Sequence, residues 1–503
     1  KLKKIKRLNN YNIMVDEVGT YLGQKGYSIY KECLSIEEQH WLREQLLVRP
    51  NIPNSPVKAP SFPIYRESPK KIYIPRFFGI ETYGPPEESR IPNGESISID
   101  FNGVLRDYQR KVVDTYVNTV GTNGGGGLLE LPCGFGKTII ALNIIGTLKL
   151  KTLVIVHKSF LMNQWIERIA EFLPTARVGK IQGPIVDIEN KDIVIGMLQS
   201  LSMKEYPASL FDCFGLTIVD ECHHISSEVF SRSLQLIVTK NMLGLSATMN
   251  RKDGLTRVFK MFLGEIVYKV KRDSNDYVLV KSIQYSSDDE EFNKVINDYR
   301  GNVAYSSMIS KLSSYTPRSE FILTVLKNEL KEKKDQQIMV LAHNKNLLTF
   351  LHDEVAKRNI ATVGYYVGGM KETALKESET KTIIIATYAM ASEALDIKTL
   401  STLILATPKT DIEQAVGRIL RVKHERPLVI DLVDSHDLYK RQWCKRRKFY
   451  VKNNYKIIAT NNLDYLKNEW DENYIPSTKD SKAKEANSKK SVIQNGKCLV
   501  MQN

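Results

Sequence analysis

A short glycine-rich segment, Leu131-Pro-Cys-Gly-Phe-Gly-Lys-Thr138, has the residue types and spacing of a phosphate-binding loop. It lies between an apolar run that predicts a strand and a stretch that predicts a helix beginning near Thr138. Gly134 and Gly136 allow backbone N–H groups to close around a phosphate, and the helix start adds the positive end of its dipole. Lys137 can reach the outer phosphates, and Thr138 can ligate Mg²⁺. The strict pattern GxxxxGK[ST] has a glycine where leucine stands here. The predicted nucleotide-binding residues of this loop are Pro132, Cys133, Gly134, Phe135, Gly136, Lys137 and Thr138.

Two adjacent carboxylates follow the apolar run Leu216–Val219, which predicts a strand. Hydrolysis of a nucleoside triphosphate needs one carboxylate to hold Mg²⁺ and a second to position the attacking water. Asp220 and Glu221 provide both at one strand end, whereas a kinase, which must exclude water, has no use for Glu221 there. The cysteines and histidines nearby match no four-ligand zinc spacing. The pattern predicts ATP hydrolysis by Lys137, Asp220 and Glu221, with Mg²⁺ held by Thr138 and Asp220.

The composition is typical of a large protein that acts on a polyanion. The chain has 503 residues, enough for two to four domains. Its 72 Lys and Arg residues against 57 Asp and Glu residues leave a net charge of +15. This surplus favours nucleic acid as a partner, and no apolar run of about 18 residues is present to cross a membrane. Six scattered cysteines without a CxxC pair predict a reducing compartment, and no apolar signal-peptide core follows the lysine-rich N-terminus.

Short β-branched runs alternate with helical stretches in two series, which predicts an α/β fold with two parallel-sheet lobes. The runs of the first series are Leu128–Leu131, Thr152–Val156, Asp192–Ile195, Leu216–Val219 and Met242–Leu245. Those of the second series are Ile338–Leu341, Thr362–Val367, Thr382–Ala386, Thr402–Ala406 and Leu428–Leu432. We therefore assign residues 101–270 to lobe 1, residues 271–335 to a helical connector and residues 336–435 to lobe 2.

Residues 1–100 are predicted to form a small accessory domain. Ser35 and Glu38 have capping-box spacing at the start of an amphipathic helix over Ser35–Val48. A proline-rich stretch follows, in which basic and aromatic residues interleave. Two interpretations stay open for them: a nucleic-acid surface, or the aromatic core of an α+β domain with exposed lysines. The residues concerned are Tyr65, Arg66, Lys70, Lys71, Tyr73, Arg76, Phe77 and Phe78.

The C-terminal residues are predicted to form a basic extension over 436–474 and a largely disordered tail over 475–503, where apolar residues are scarce. Lys440–Lys452 has seven basic residues, three aromatic residues and no acid. One interpretation is contact with DNA, through phosphate neutralisation and base stacking on the aromatic side chains. The other is an exposed helix that packs through those side chains. The aromatic residues are Trp443, Phe449 and Tyr450.

Together with the phosphate loop, three further motifs resemble those of superfamily 2 helicases of the DExH type. They are Asp220-Glu-Cys-His223, Leu245-Ser-Ala-Thr248 and Gln414-Ala-Val-Gly-Arg-Ile-Leu-Arg421, in the family's order and within residues 101–435. The resemblance implies two RecA-like lobes, ATP and Mg²⁺ as cofactors, and a nucleic-acid track across both lobes.

Four more segments are similar to motifs of this superfamily. Leu105–Gln109 resembles the segment that contacts adenine through its glutamine. His157–Trp165 and Met197–Ser200 resemble the nucleic-acid contact motifs of the first lobe. Ala386–Asp396 resembles the motif of the second lobe that touches both the nucleic-acid backbone and the nucleotide. The residues that these motifs imply as nucleotide contacts are Gln109 and Asp396.

The last helicase motif has two arginines on the other predicted lobe, far along the chain from the phosphate loop. An arginine that reaches the transferring phosphoryl group stabilises its charge and makes hydrolysis depend on lobe closure. Arg418 and Arg421 are predicted to have this role. α-Helical spacing of Gln414, Arg418 and Arg421 would direct all three to one target. Ser246 and Thr248 are similar to the motif that couples the nucleotide site to the nucleic-acid track.

The segments Ser246–Gly254 and Gly417–Arg421 resemble a branch that contains the translocase of the general transcription factor, phage branch-migration helicases, and the transcript-release helicases of poxviruses and giant nucleocytoplasmic DNA viruses. The length, the richness in Lys and Asn and the compact design look most like the last group. This resemblance implies an ATP-driven DNA motor in viral transcription or transcript release, with a viral RNA polymerase as partner. We expect a cytoplasmic or nuclear location and, for a viral protein, a cytoplasmic replication factory and packaging in the virion. Two alternatives stay open: an RNA helicase, and a duplex DNA translocase that separates no strands. Glu221 and Arg418 disfavour a small-molecule kinase and a protein that uses ATP only as a clamp.

Overall fold

The structure is a computed structural model, and it describes residues 19–51, 59–122, 124–132, 134–223, 228–249, 251, 253–270, 277–393, 397–420, 422 and 424–475. The chain forms two compact units, Lys1–Lys271 and Arg272–Asn503. Three predicted site residues, Cys133, Asp396 and Arg421, lie outside the described residues, as do residues 476–503 of the predicted tail. Within the described ranges, no helix is long and apolar enough to cross a membrane.

The first unit begins with a small α+β domain. Its strands are β1 (Thr20–Gly23), β2 (Gly26–Tyr30), β3 (Leu47–Val48), β4 (Phe62–Pro63), β5 (Arg66–Glu67), β6 (Lys71–Ile74) and β7 (Glu88–Ser89), and its helices are α1 (Ile36–Gln45) and α2 (Arg76–Tyr83). Five strands form a sheet in the order β5-β6-β2-β1-β7, while β3 pairs with β4. Ser35 Oγ accepts from Glu38 N at 3.1 Å, and Glu38 Oε2 accepts from Ser35 N at 2.9 Å. The predicted capping box at the start of α1 is therefore confirmed.

The larger part of the first unit is an eight-stranded sheet between helices. Its strands are β8 (Gly126–Glu130), β9 (Thr152–Val156), β10 (Val178–Gln182), β11 (Ile185–Val186), β12 (Ile193–Met197), β13 (Leu216–Asp220), β14 (Asn241–Ser246) and β15 (Ile266–Lys269). The helices are α3 (Asp107–Val120), α4 (Lys137–Leu148), α5 (Ser159–Phe172), α6 (Leu198–Met203), α7 (Glu228–Leu236) and α8 (Thr256–Leu263). The order is β11-β10-β12-β9-β13-β14-β8-β15, and all pairs are parallel except β10 with β11.

Both faces of this sheet are covered, which explains why its strands are continuous apolar runs. Leu153 and Ile155 of β9 belong to one core, whereas Val154 and Val156 belong to another. Each of the five runs predicted for this lobe coincides with a strand to within two residues. The parallel order brings the carboxyl ends of β8, β13 and β14 to one edge.

The accessory domain is anchored to this lobe by residues that the sequence left open as nucleic-acid contacts. Arg76, at the start of α2, is only 7% exposed, and its guanidinium donates to the carbonyl oxygens of Thr239 and Lys240 at 3.0 and 3.2 Å. Phe78 is buried in the core that α2 shares with the five-stranded sheet. The interpretation as a nucleic-acid surface is therefore wrong for Arg76 and Phe78.

The second unit contains another eight-stranded sheet. Its strands are β16 (Leu279–Tyr285), β17 (Gln337–Ala342), β18 (Val363–Tyr366), β19 (Ile383–Thr387), β20 (Leu400–Leu405), β21 (Leu428–Asp434), β22 (Lys456–Asn461) and β23 (Asp471–Tyr474). The helices are α9 (Glu290–Asn293), α10 (Tyr305–Ser314), α11 (Thr316–Glu332), α12 (Lys345–Lys357), α13 (Glu372–Ser378), α14 (Tyr388–Glu393), α15 (Glu413–Val416), α16 (Asp437–Lys452) and α17 (Asn462–Leu466). The order is β18-β19-β17-β20-β21-β16-β22-β23, parallel except for β22 with β23.

The second sheet is larger than the sequence predicts. β16 lies between β21 and β22 and pairs with both in parallel, so residues 271–335 are not only a helical connector. Residues 436–474, predicted as an extension, contribute α16 and two further strands to the same unit. The fold class is confirmed: two α/β lobes, each built on a mainly parallel sheet, with a small N-terminal domain.

Candidate active site

The glycine-rich loop connects β8 to α4, and its two glycines have conformations that only glycine adopts freely. Gly134 has φ +82°, and Gly136 has φ +89°. A Cβ atom on Gly136 would lie 2.4 Å from Gln109 Nε2, so a larger residue would displace the Gln109 amide. α4 begins at Lys137, where the first backbone N–H groups of a helix have no acceptor within the helix. This geometry suits an anion such as a phosphate.

Gln109 of α3 holds the loop in place. Its amide Nε2 donates to the Phe135 carbonyl at 3.0 Å, and its Oε1 accepts from Arg106 N at 3.0 Å. The side chain is 5% exposed. Beside it, the ring centroids of Tyr108 and Phe135 lie 4.6 Å apart, and Tyr108 is 39% exposed. The sequence singled out Gln109 as an adenine contact, but not its role as an organiser of the loop or the exposed Tyr108 ring.

The predicted acid pair lies at the end of β13, next to the loop. Asp220 Oδ2 accepts from Trp165 Nε1 at 2.9 Å, and Asp220 Oδ1 accepts from Glu221 N at 3.0 Å. Glu221 has φ +48°, which bends the chain directly after the strand. Lys137 Nζ donates to Glu221 Oε1 at 3.1 Å, and these side chains are 13% and 21% exposed. Three predicted catalytic residues, Lys137, Asp220 and Glu221, are thus brought together.

The electrostatics of the acid pair favour a bound cation. Burial and then the neighbouring Glu221 carboxylate raise the pKa of Asp220. A buried carboxylate beside another acid is stabilised by a metal ion, and hydroxyl and carboxylate oxygens are the ligands that Mg²⁺ prefers. Thr138 and Asp220 therefore fit the predicted Mg²⁺ site in their donor chemistry.

Ser246, at the end of β14, links the acid pair to the next predicted motif. Its Oγ donates to the Thr248 carbonyl at 2.7 Å, accepts from Thr248 N at 3.2 Å, and lies 3.4 Å from Glu221 Oε2. His223 Nδ1 lies 2.8 Å from the same Oγ. Burial lowers the pKa of His223 although Glu221 raises it, so the ring is neutral near pH 7. The sequence placed Ser246 and Thr248 in a coupling motif, but only the fold connects them to Glu221.

Segments that resemble the nucleic-acid motifs of the first lobe also contact each other. Gln199 Nε2 donates to the His157 carbonyl at 2.8 Å, and Ser200 Oγ accepts from Gly183 N at 2.9 Å. Trp165, at the other end of the first of these segments, is the donor to Asp220. The first of these segments is therefore in direct contact with Asp220, and the sequence analysis did not select Trp165 as a site residue.

The second unit contains Arg418, the described member of the predicted arginine pair. Its Nε donates to the Ala391 carbonyl at 2.9 Å, and the residue is 7% exposed. α15 ends at Val416, and Gly417–Leu420 form a 3-10 turn. The α-helical spacing predicted through Gln414 and Arg418 is therefore wrong, because the helix type changes between them.

The basic helix α16 is a structural element of the second unit. Arg446 and Tyr450 are buried, and both donate to the Asp431 carboxylate, from Arg446 Nε at 2.7 Å and from Tyr450 Oη at 2.8 Å. Base stacking on Tyr450 is therefore excluded. Trp443 and Phe449 are partly exposed, so contact with DNA through them remains a prediction.

Known proteins resemble this chain over most of its length. Residues 102–251 match the family described as type III restriction enzyme, res subunit. A protein of Acanthamoeba polyphaga mimivirus, provisionally named an ATP-dependent RNA helicase, is 36% identical over 460 residues, 88% of this chain and 87% of that protein. A protein of African swine fever virus with the same provisional name is 28% identical over 400 residues, 73% of this chain and 78% of that protein. The crystal structure of T4 UvsW aligns with 85% of this chain and 96% of that chain, at 20% identity and a TM-score of 0.33, too low to carry an argument.

The mimivirus protein shares more than a third of the aligned residues across most of both chains. The fold brings together Lys137, Asp220 and Glu221, the three residues predicted to hydrolyse ATP. The chain uses ATP and binds nucleic acid. It belongs to the superfamily 2 helicases, as an ATP-hydrolysing enzyme related to the helicases of giant DNA viruses.

Proposed function

We propose that this helicase is an ATP-driven motor that moves on DNA, with Mg²⁺ as its divalent ion, in viral transcription or transcript release. One observation carries the proposal: Lys137, Glu221 and Ser246 form a chain of contacts from the phosphate loop to the coupling motif. Occupation of the nucleotide site changes the partner of Lys137, and the change reaches Thr248 through Glu221 and Ser246. A motor needs such a connection between its nucleotide and its track.

Hydrolysis follows from the same contacts. The phosphates of ATP compete with Glu221 for Lys137, so nucleotide binding releases the Glu221 carboxylate to orient a water. The water oxygen attacks the γ-phosphorus, the bond to the β–γ bridging oxygen breaks, and Glu221 accepts the water proton. Thr138 and Asp220 would hold Mg²⁺, which would neutralise charge on the phosphate oxygens. Trp165 keeps Asp220 oriented, since it donates to Asp220 Oδ2.

DNA is the favoured track because the segments Ser246–Gly254 and Gly417–Arg421 resemble DNA-directed members of the superfamily. The contacts expected along such a track are with backbone phosphates, since stepping along any sequence requires contacts that ignore the bases. RNA is the second candidate, supported by the provisional names of the mimivirus and African swine fever virus relatives. A duplex DNA translocase that separates no strands is a variant of the first.

The setting we propose is a reducing compartment, a cytoplasmic replication factory in an infected cell, with a viral RNA polymerase as partner. Four cysteines within the described residues support the reducing compartment, because none of them forms a disulfide. They are Cys33, Cys213, Cys222 and Cys444. The roles predicted for Asp396, Arg418 and Arg421 at the nucleotide are part of the proposal, and replacement of Arg418 by lysine is expected to lower ATP turnover.

The ATPase rate of the full chain on a panel of nucleic acids tests the proposal. The panel is single-stranded DNA, duplex DNA, forked DNA and RNA, each with and without Mg²⁺. Glu221→Gln is the catalytic control, and Glu171→Gln, an exposed acid of α5, is its matched variant. We expect DNA to raise the rate strongly, RNA to raise it little, and only Glu221→Gln to abolish it. Equal or greater stimulation by RNA would overturn the choice of DNA, and an active Glu221→Gln enzyme would overturn the catalytic assignment.

A further inference from the structure

One face of the five-stranded sheet of the accessory domain is partly covered, because Lys25 and Tyr73 at one end of it line a small pocket with Gln235 of α7. Strand register places Tyr21 opposite Ser28, Ser28 opposite Tyr73, and Tyr30 opposite Lys71, so these residues share that face. The opposite face is the buried one, formed by residues that are at most 1% exposed. They are Tyr27, Ile29, Ile72 and Ile74.

Three tyrosines on the outer face are partly exposed, and basic groups lie close to them. Lys71 Nζ donates to Tyr21 Oη at 3.2 Å, and the Arg90 guanidinium lies 4.2 Å from the ring centroid of Tyr21. Lys71 Nζ is 4.8 Å from the ring centroid of Tyr21 and 4.2 Å from that of Tyr30. Lys25 Nζ is 5.1 Å from the ring of Tyr73. The centroids of Tyr21 and Tyr30 are 6.3 Å apart. We call this set, Tyr21, Lys25, Tyr30, Lys71 and Tyr73, the tyrosine face.

Two glutamates of the same domain are ion-paired with basic residues outside the tyrosine face. Glu67 is paired with Lys31 and Arg43, and Glu88 is paired with Arg90. Within the described residues, neither Lys25 nor Lys71 pairs with a carboxylate. Two lysines beside three partly exposed tyrosines form a positively charged aromatic surface.

We propose that the tyrosine face binds single-stranded nucleic acid, as a contact separate from the track of the two motor lobes. Bases stack on tyrosine rings, and lysine ammonium groups neutralise the adjoining phosphates. Single strands fit and duplexes do not, because the bases of a duplex stack on each other and are not free to lie on a protein ring. The proposal shares with the proposed function only the class of ligand, and it assigns the accessory domain the task of holding a strand outside the motor.

Binding of the full chain to labelled oligothymidine tests this assignment, together with photocrosslinking of an oligonucleotide that contains 5-iodouracil. Tyr30→Leu and Tyr73→Leu keep an apolar side chain but cannot stack, and each is expected to weaken binding about 5- to 150-fold. Lys71→Met is expected to weaken binding and to reduce the salt dependence of log Kd by about 0.7. Crosslinks are expected in the peptides that contain Tyr21, Tyr30 and Tyr73.

The matched controls are Lys70→Met, next to Lys71, and Trp41→Leu, on α1 at the other side of the sheet. Neither is expected to change binding of the single strand. Tyr30→Phe and Tyr73→Phe keep the rings and should bind as the unmodified chain does, which separates stacking from folding.

Three results would overturn the proposal. The first is unchanged affinity for the single strand in both leucine variants, and the second is crosslinking outside the tyrosine face. The third is a loss of duplex binding in the leucine variants that equals their loss of single-strand binding. The unstimulated ATPase rate is measured in parallel and should be the same in every variant. If nucleic acid fails to stimulate the ATPase while the tyrosine face still crosslinks, the motor proposal fails and this one stands.

Discussion

The carboxylates at the strand ends of the two eight-stranded sheets have opposite kinds of partner. In the first sheet, Asp220 accepts hydrogen bonds from the neutral N–H groups of Trp165 and Glu221, and Glu221 contacts a lysine that remains 13% exposed. In the second sheet, Asp431 and Asp434 are 0% exposed. Each receives a guanidinium through two hydrogen bonds, from Arg446 and Arg318 respectively.

The second sheet therefore compensates the charge of each acid with a guanidinium, whereas the first sheet leaves the charge of its acids incompletely compensated. A bidentate arginine donates to both carboxylate oxygens, and Asp431 Oδ2 also accepts from Tyr450 Oη, so these oxygens have their partners within the protein. Lys137 is a single-point donor, which a phosphate can displace from Glu221. The first sheet therefore keeps its acids available for chemistry, and the second uses its acids to fix α11 and α16.

The largest expected effect comes from Asp431→Asn in the second sheet. The change leaves the buried Arg446 charge uncompensated, which should lower the free energy of unfolding by about 3–5 kcal/mol. This change in the free energy of unfolding is measured by urea unfolding of the full chain, monitored through a signal from the second unit. Asp353→Asn, whose side chain is 65% exposed beside His352, is the matched control and should change stability by no more than about 0.5 kcal/mol. An equally small effect at Asp431 would contradict the contrast between the sheets.

The same substitution in the first sheet, Asp220→Asn, should act in the opposite direction on stability. It should lower ATP turnover about 10²- to 10³-fold, because a carboxylate that would hold Mg²⁺ at the transferring phosphate is lost. Since the pKa of Asp220 is raised in the folded chain, its ionisation opposes folding as the pH rises through that pKa. The variant should therefore have a higher melting temperature than the unmodified chain at pH 7.

The pH dependence provides the control for Asp220→Asn. Below pH 3.8, the ordinary pKa of an aspartate, the carboxyl is protonated in the folded and unfolded chain alike, so the two melting temperatures should converge. A variant that is less stable at pH 7 would show that a cationic partner stabilises the Asp220 carboxylate, as the arginines do for Asp431 and Asp434.

The strands and the phosphate loop could be read from the sequence because their signals are local. Thr152–Val156, for example, is predicted and observed with the same bounds. β16 was missed because Lys281 and Ser282 make Leu279–Tyr285 look half-exposed, although Lys281 is 4% exposed and its charge is paired with Glu329 and Glu332. Partners so distant in sequence leave no local pattern.

The candidate active site was also predictable only where its signals are local in the sequence. Lys137, Asp220 and Glu221 belong to compact motifs, whereas the Trp165 contact with Asp220 depends on the packing of α5 beside β13. The buried Arg446 was misread as part of an exposed basic stretch, since its partner is on another element. Charge in a sequence does not distinguish a solvated cation from one locked to an acid.

The hydroxyl groups of Ser246 and Thr407, at the ends of strands in the two sheets, allow the same comparison. Their replacement is expected to have effects of intermediate size on ATPase stimulation and on stability. Ser246→Ala removes the link between Glu221 and Thr248, and should reduce stimulation of the ATPase by nucleic acid about 5- to 150-fold while the basal rate changes little. Thr407, after β20, has a similar arrangement: its Oγ1 accepts from His343 N at 3.0 Å. Thr407→Val should instead cost about 1–3 kcal/mol of stability. Stimulation measured at saturating DNA, beside thermal unfolding, distinguishes the two outcomes, and equal loss of stimulation in both variants would remove the special role of Ser246.

Ser35→Ala has the smallest expected effect and serves as a reference for Ser246→Ala. The hydroxyl of Ser35 also hydrogen-bonds to a backbone N–H group, but Ser35 lies in no helicase motif. Its loss exposes the Glu38 N–H at the start of α1, which should cost about 0.5–2 kcal/mol. Ser35→Thr keeps the cap and should change the stability little.

Thermal unfolding measures the loss of stability, and the DNA-stimulated ATPase rate should be unchanged in both variants. If Ser35→Ala lowers stimulation as Ser246→Ala does, then loss of any capping hydroxyl impairs the enzyme through stability alone. Unchanged stimulation would mean that the effect at Ser246 reflects its place between Glu221 and Thr248, at a strand end whose acids remain available.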